Sequence, residues 1–142
     1  MKTIVVDTKS IKRDWYLVDA TDMALGRLAS NAAGVLIGKG KVAYSPNQDH
    51  GDNLIIVNAD KVKLTGTKSE SKEYFRHSRY PGGGKFRSFK EQMELDSSQV
   101  IIHAIKGMVS KNALGRSIMK KLHVYPTESH PHVAQQPKKL EL

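Results

Sequence analysis

The chain of 142 residues has 23 Lys and Arg against 14 Asp and Glu, a formal charge of +9, in a length suited to one domain with a buried core. It contains no cysteine, which excludes a disulfide frame, a thiolate nucleophile and a Cys-based zinc site. No apolar run nears the ~20 residues of a membrane span, and "TIVV" at residues 3–6 is too short for a secretory core, so a soluble cytoplasmic protein is expected.

Residues 15–20, "WYLVDA", are aromatic and β-branched and read as a buried strand. Thr21 or Asp22 is expected to cap the helix that follows. In that helix Leu25, Leu28, Ala29, Ala32 and Leu36 form one stripe opposite Arg27, Ser30, Asn31 and Gly34, and Gly38 closes it. A polar loop, "YSPNQDHGD", leads to a second apolar strand at residues 53–59, "NLIIVNA". Strand, helix and strand of this kind predict a βαβ unit with a parallel sheet. Residues 61–66, "KVKLTG", alternate and read as a further strand or its continuation.

Residues 67–90 lack apolar periodicity and are expected to project from the core, with a short helix beginning near residues 88–95. Ser97 or Ser98 is expected to cap a stronger helix whose Ile101, Ala104, Ile105 and Met108 share a face, extended by Ile102 and Val109, with His103 and Lys106 on a polar strip. A short helix at residues 112–122 aligns Leu114, Ile118 and Leu122. Arg116 and Lys120 lie opposite, Lys121 flanks the stripe, and "HVY" forms a last strand. The tail, residues 126–142, is polar and expected to run extended along a surface.

Two motifs imitate catalytic sites. "GKGKVA", residues 38–43, spells a dinucleotide loop but follows a helix, where the dipole repels phosphate. "DHGD", residues 49–52, could supply Asp49 or Asp52 as a metal ligand or base, but it suits a turn before a strand. The scattered histidines, His130 and His132 included, lack the convergent spacing of a zinc site.

The charge is concentrated. Residues 72–124 hold eleven Lys/Arg against four Asp/Glu. In "KEYFRHSRYPGGGKFRSFK", residues 72–90, the cations Lys72, Arg76, Arg79, Lys85, Arg87 and Lys90 alternate with Tyr74, Phe75, Tyr80, Phe86 and Phe89 around three glycines. Cations neutralise phosphates and aromatic planes stack on unpaired bases, so this stretch is expected to bind RNA. Lys106, Lys111, Arg116, Lys120 and Lys121 form a second basic stretch, with no Asp or Glu between Asp96 and Glu128. Its missing counter-charges would be phosphates. The basic stretches lack the Trp/Phe/Leu face of a membrane-surface helix.

Four ordered stretches then resemble a known family: "KRDWYLVDATDMALGRLAS" (12–30), "GDNLIIVNADKVKLTG" (51–66), "KGMVSKNALGRSIMKKLHVY" (106–125) and "HPHVAQQP" (130–137). They are similar to the bacterial large-subunit ribosomal protein L-thirteen family and cover almost the whole chain. The family's signature falls on Lys106, Gly107, Met108, Gly115, Arg116, Lys121, Leu122, Val124 and Tyr125. Where many relatives have prolines in that linker, Ser110 and Ala113 stand, which leaves the helix boundary near Lys111 open. The resemblance implies a three-layer α/β/α domain with a mostly parallel four-stranded sheet. It also implies binding to large-subunit ribosomal RNA beside neighbouring ribosomal proteins during early assembly, with no catalysis, cofactor, metal, membrane or small-molecule substrate. The competing expectations are a small nucleotide-dependent enzyme on the βαβ core and a DNA-compacting protein.

Overall fold

A computed structural model of the chain describes residues 11–141, so the apolar run at residues 3–6 lies outside the described residues. Strand β1 (Trp15–Asp19) is followed by helix α1 (Leu25–Ile37) and strand β2 (Asn53–Val57), and the two strands pair in parallel with Leu17 opposite Ile55. A parallel strand cannot return through a tight turn, so α1 supplies the crossover. Its buried stripe is Leu25, Leu28, Ala29, Ala32, Ala33 and Leu36, and Gly38 ends it in the left-handed region at φ 84°. The chain continues through a short helix α2 (Lys68–Ser71), an antiparallel hairpin of β3 (Glu73–His77) and β4 (Gly84–Ser88), helices α3 (Phe89–Met108) and α4 (Ala113–Met119), and strands β5 (Leu122–Val124) and β6 (Lys138–Lys139).

The main sheet has four strands in the order β5-β2-β1-β6, and each adjacent pair is parallel. The fold is thus mixed α/β in a single domain. Because side chains alternate across a strand, Val18, Leu54 and Ile56 enter one core with the α1 stripe and with Val100, Ile101 and Ile105 of α3. Each fully buried Leu or Ile of this set stabilises the fold by about 1.5–3 kcal/mol. The opposite face carries Trp15, Leu17, Ile55 and His123, and receives His132 from a 3-10 turn at His132–Gln135.

Several local expectations change. Neither Thr21 nor Asp22 caps α1; the N-cap position is Ala24, which makes no side-chain cap. Thr21 instead donates its amide and hydroxyl to Asp19, at 2.9 and 2.6 Å, and Asn58 adds its side-chain amide to the same carboxylate at 2.9 Å. The Thr21 hydroxyl above all, then Asn58 and the Thr21 amide, hold the Asp19 carboxyl below its usual range. β2 stops at Val57 because Asn58 turns into the left-handed region, φ 57°. Residues 61–66 form no strand: a 3-10 turn at Ala59–Lys61 leads to a single bridge, Ala24 to Lys63.

α3 is two helical segments joined at a kink, matching the expected short helix near residues 88–95 and the stronger helix after it, but neither Ser97 nor Ser98 is the second cap. The first segment starts at Ser88, whose hydroxyl accepts from the Glu91 amide while the Glu91 carboxylate accepts from the Ser88 amide. Asp96 interrupts it with extended φ/ψ of −163° and 98° and caps the second segment by accepting from the Ser98 amide at 3.0 Å. Met108 lies off the core face and is exposed, while Val100 takes a fully buried place. The boundary near Lys111 is drawn by Asn112, whose side chain accepts from the Gly115 amide at 2.8 Å. Lys111 therefore belongs to the linker, and Leu122 starts β5 rather than ending α4. The tail is not merely laid on the surface, since Lys138 and Lys139 pair with Tyr16 and Leu17 as β6.

Candidate nucleic-acid interface

The β3–β4 register explains why residues 72–90 interleave charges and rings. Directly opposed residues share a face, so Tyr74 with Arg87 and Arg76 with Lys85 line one side, and Phe75 with Phe86 and His77 with Gly84 line the other. The first side turns toward α3, where Tyr74 meets His103 edge-on at 5.8 Å between centroids. The second faces outward with Phe75 and Phe86 tilted 4.9 Å apart, both more than half exposed. The glycines form a tight turn. Gly82 takes φ 71°, the Gly83 amide donates to Tyr80 at 2.9 Å, and the Ser78 amide donates to Gly83 at 3.0 Å.

Arg79 and Tyr80 stand exposed at this tip, Arg76, Lys85 and Arg87 are exposed along the hairpin, and Lys90 is exposed in the first turn of α3. Lys72 is half-buried with its ammonium 5.2 Å from the Tyr74 ring centroid. Of the five interleaved aromatics, Tyr74 and Phe89 pack toward the body, while Phe75, Tyr80 and Phe86 do not.

The second basic stretch divides in two. Lys106 in the last turn of α3, Lys111 in the linker, and Arg116 and Lys120 around α4 are exposed, with Ile118 and Leu114 on the core side. Among the described residues, none of these four and none of the hairpin cations has a carboxylate partner.

Lys121 differs. Its side chain runs inward, and the ammonium pairs with the Asp49 carboxylate and donates to the Leu36 carbonyl at 3.2 Å, in the last turn of α1. Burial lowers its pKa, opposed by Asp49. Lys121 is therefore not the free phosphate-facing cation expected of it; its counter-charge lies within the chain.

The same packing removes Asp49 and Asp52 as metal or base candidates. Asp49 also lies 3.8 Å from Arg13, while Asp52 accepts from Lys41 at 2.6 Å and from the Asp14 amide at 2.8 Å. Gly51 between them is needed for close approach, since a Cβ there would overlap the Leu36 carbonyl. Gly38, the first residue of "GKGKVA", sits at the carbonyl end of α1, where a phosphate would meet negative charge.

The histidines that spacing left scattered partly converge. His123 stacks on Trp15 at 5.5 Å and 16°, His132 lies 4.5 Å from His123, and His132 Nε2 shares a 2.8 Å hydrogen bond with the Tyr125 hydroxyl. Burial and then the neighbouring His132 lower the pKa of His123. This cluster fastens the tail to the sheet, and no periodicity signals it.

Comparison with known sequences agrees with the motifs. The family described as Ribosomal protein L13 matches residues 13–131. The chain is 49% identical over 142 residues to the large ribosomal subunit protein uL13 of Hahella chejuensis, covering all of both chains. It is 51% identical over 142 residues, again all of both, to the protein of that name from Pelobacter propionicus. It is 49% identical over 141 residues to that of Crocosphaera subtropica, covering 99% of this chain and 93% of the relative.

Proposed function

We propose, since this chain belongs to the ribosomal protein L13 family, that it is a structural constituent of the large ribosomal subunit and binds large-subunit ribosomal RNA. It performs no catalytic step, works in the cytoplasm, and has neighbouring large-subunit proteins as its other partners. The contacts are Lys72, Arg76, Arg79, Lys85, Arg87 and Lys90 on and beside the hairpin, with Lys106, Lys111, Arg116 and Lys120 on α3, the linker and α4. The observation that carries this set is that its exposed cations find no carboxylate among the described residues. Like charges at helical or cross-strand spacing destabilise a surface unless an anion sits between them. Phosphates supply that anion without demanding a base sequence, so RNA is held through its backbone and shape. Residues 67–90 act as a basic extension of the domain and residues 126–142 as its tail.

The test is affinity for large-subunit RNA against salt. Each lost phosphate contact flattens the log–log slope by about 0.7–0.9, so Arg116→Ala/Lys120→Ala is expected to reduce it by about 1.4–1.8 with an unchanged melting temperature. Duplex DNA should compete poorly. Equal competition by duplex DNA would favour the compaction protein, and a wild-type slope in the double variant would remove α4 from the interface.

A further inference from the structure

We propose that the cleft between the β3–β4 hairpin and α3 holds one unpaired nucleotide of the RNA, with Arg76, Lys85 and Arg87 on its phosphates and Gln92 and Gln99 on its base edge. This deepens the RNA-binding function above and rests on it. The cleft encloses about 790 Å³, within the ~300–1,000 Å³ of sites that enclose small organic ligands.

Its two walls differ in chemistry. The hairpin wall is cationic because the pleat points Arg76, Lys85 and Arg87 the same way, and Arg76 lies directly opposite Lys85. Among the described residues no Asp or Glu lines the cleft, so an anion in that space would offset this cross-strand repulsion. The helix wall is neutral, formed by Gln92, Gln99 and His103. Among the described residues, exposed Gln99 has no side-chain partner, and Gln92 makes only a 3.4 Å bond to the Asp96 carbonyl.

A site for phosphates alone has no use for neutral amides facing the cations. An amide side chain both donates and accepts, as does the Watson–Crick edge of an unpaired base. Tyr74 and His103 add ring surface at the cleft, and the Tyr74 hydroxyl is buried with no partner among the described residues. An acidic peptide would satisfy the cations equally, but it would leave the ring and amide wall without a planar ligand.

The experiment is nucleotide-resolution chemical probing of large-subunit RNA with the full chain, alongside affinity measured against salt. Gln99→Ala touches no core residue and should expose one unpaired nucleotide to the reagent. It should weaken binding about fivefold with an unchanged salt slope, because a neutral hydrogen bond releases no counterion. Arg76→Ala/Arg87→Ala should deprotect the same nucleotide and flatten the slope by about 1.4–1.8. The proposal is overturned if Gln99→Ala keeps the wild-type protections and affinity, or if the lost protections fall within a paired helix. It is also overturned if a neighbouring protein proves to fill the cleft. Absence of any protection by the wild-type chain would instead bring down the ribosomal RNA function itself.

Discussion

Replacing Lys121 by Met should unfold the protein earlier without loosening its hold on RNA. Met keeps most of the apolar stem, so the perturbation is the ammonium. Its removal strands the Asp49 carboxylate, whose side chain is only 16% exposed, and leaves the Leu36 carbonyl at the end of α1 without its donor. Breaking a buried pair from one side costs about 3–5 kcal/mol. Arg13, 3.8 Å from Asp49, and the residual exposure reduce this to about 2–3 kcal/mol. For 142 residues the unfolding entropy is about 0.3 kcal/mol/K, so the melting temperature should fall by about 7–10 °C. Asp49→Asn should recover part of what Lys121→Met loses, because it removes the stranded charge. Lys120→Met is the matched control: exposed, expected to melt within about 2 °C of wild type, and expected to flatten the salt slope by about 0.7–0.9. If Lys121→Met melts like wild type and flattens the slope, the ammonium reaches phosphate and its assignment to the core is wrong.

The His123 pKa is lowered in the fold, so the unfolded chain takes up the proton first as pH falls through the ordinary value of 6.5. Stability is therefore intact above that value and declines below it, and thermal melts from pH 7.5 to 5.5 should show a smaller decline in His123→Phe than in wild type. Gly51→Ala forces a methyl into the Leu36 carbonyl and should lower the melting temperature more than Gly26→Ala, where a Cβ meets open space. Amide exchange in the free protein should be slow at residues 54–57 and 100–105 and fast across the hairpin, whose ladder has little burial to protect it. Uniform protection would mean the hairpin is folded into the core.

Periodicity was enough for the βαβ centre, because the α1 stripe and the continuous apolar strands can be satisfied only by burial on one or both faces. The Gly38 terminus was equally plain, since a left-handed closing residue selects glycine. Ser88 with Glu91 spells the capping box that starts the short helix near residues 88–95, and the break at Asp96 separates it from the stronger helix. The two basic stretches pointed to a polyanionic partner, because like charges without local carboxylates need an external anion, and the motifs identified the family. Sequence placed Lys121 beside the apolar stripe and Lys120 opposite it, but could not show that Lys121 is paired inside the chain. Neighbours in a helical turn differ by about 100° in direction, but which direction holds a carboxylate depends on a loop 72 residues away. Nor could it separate the hairpin's cationic face from its aromatic one before the register was known, since a slip of one residue exchanges the two. The docking of His132 on Trp15 and His123, and the addition of residues 138–139 as β6, depend on contacts between distant segments. Only the assembled sheet decided those, because strand pairing is chosen by what lies beside it, not by the propensity of two lysines.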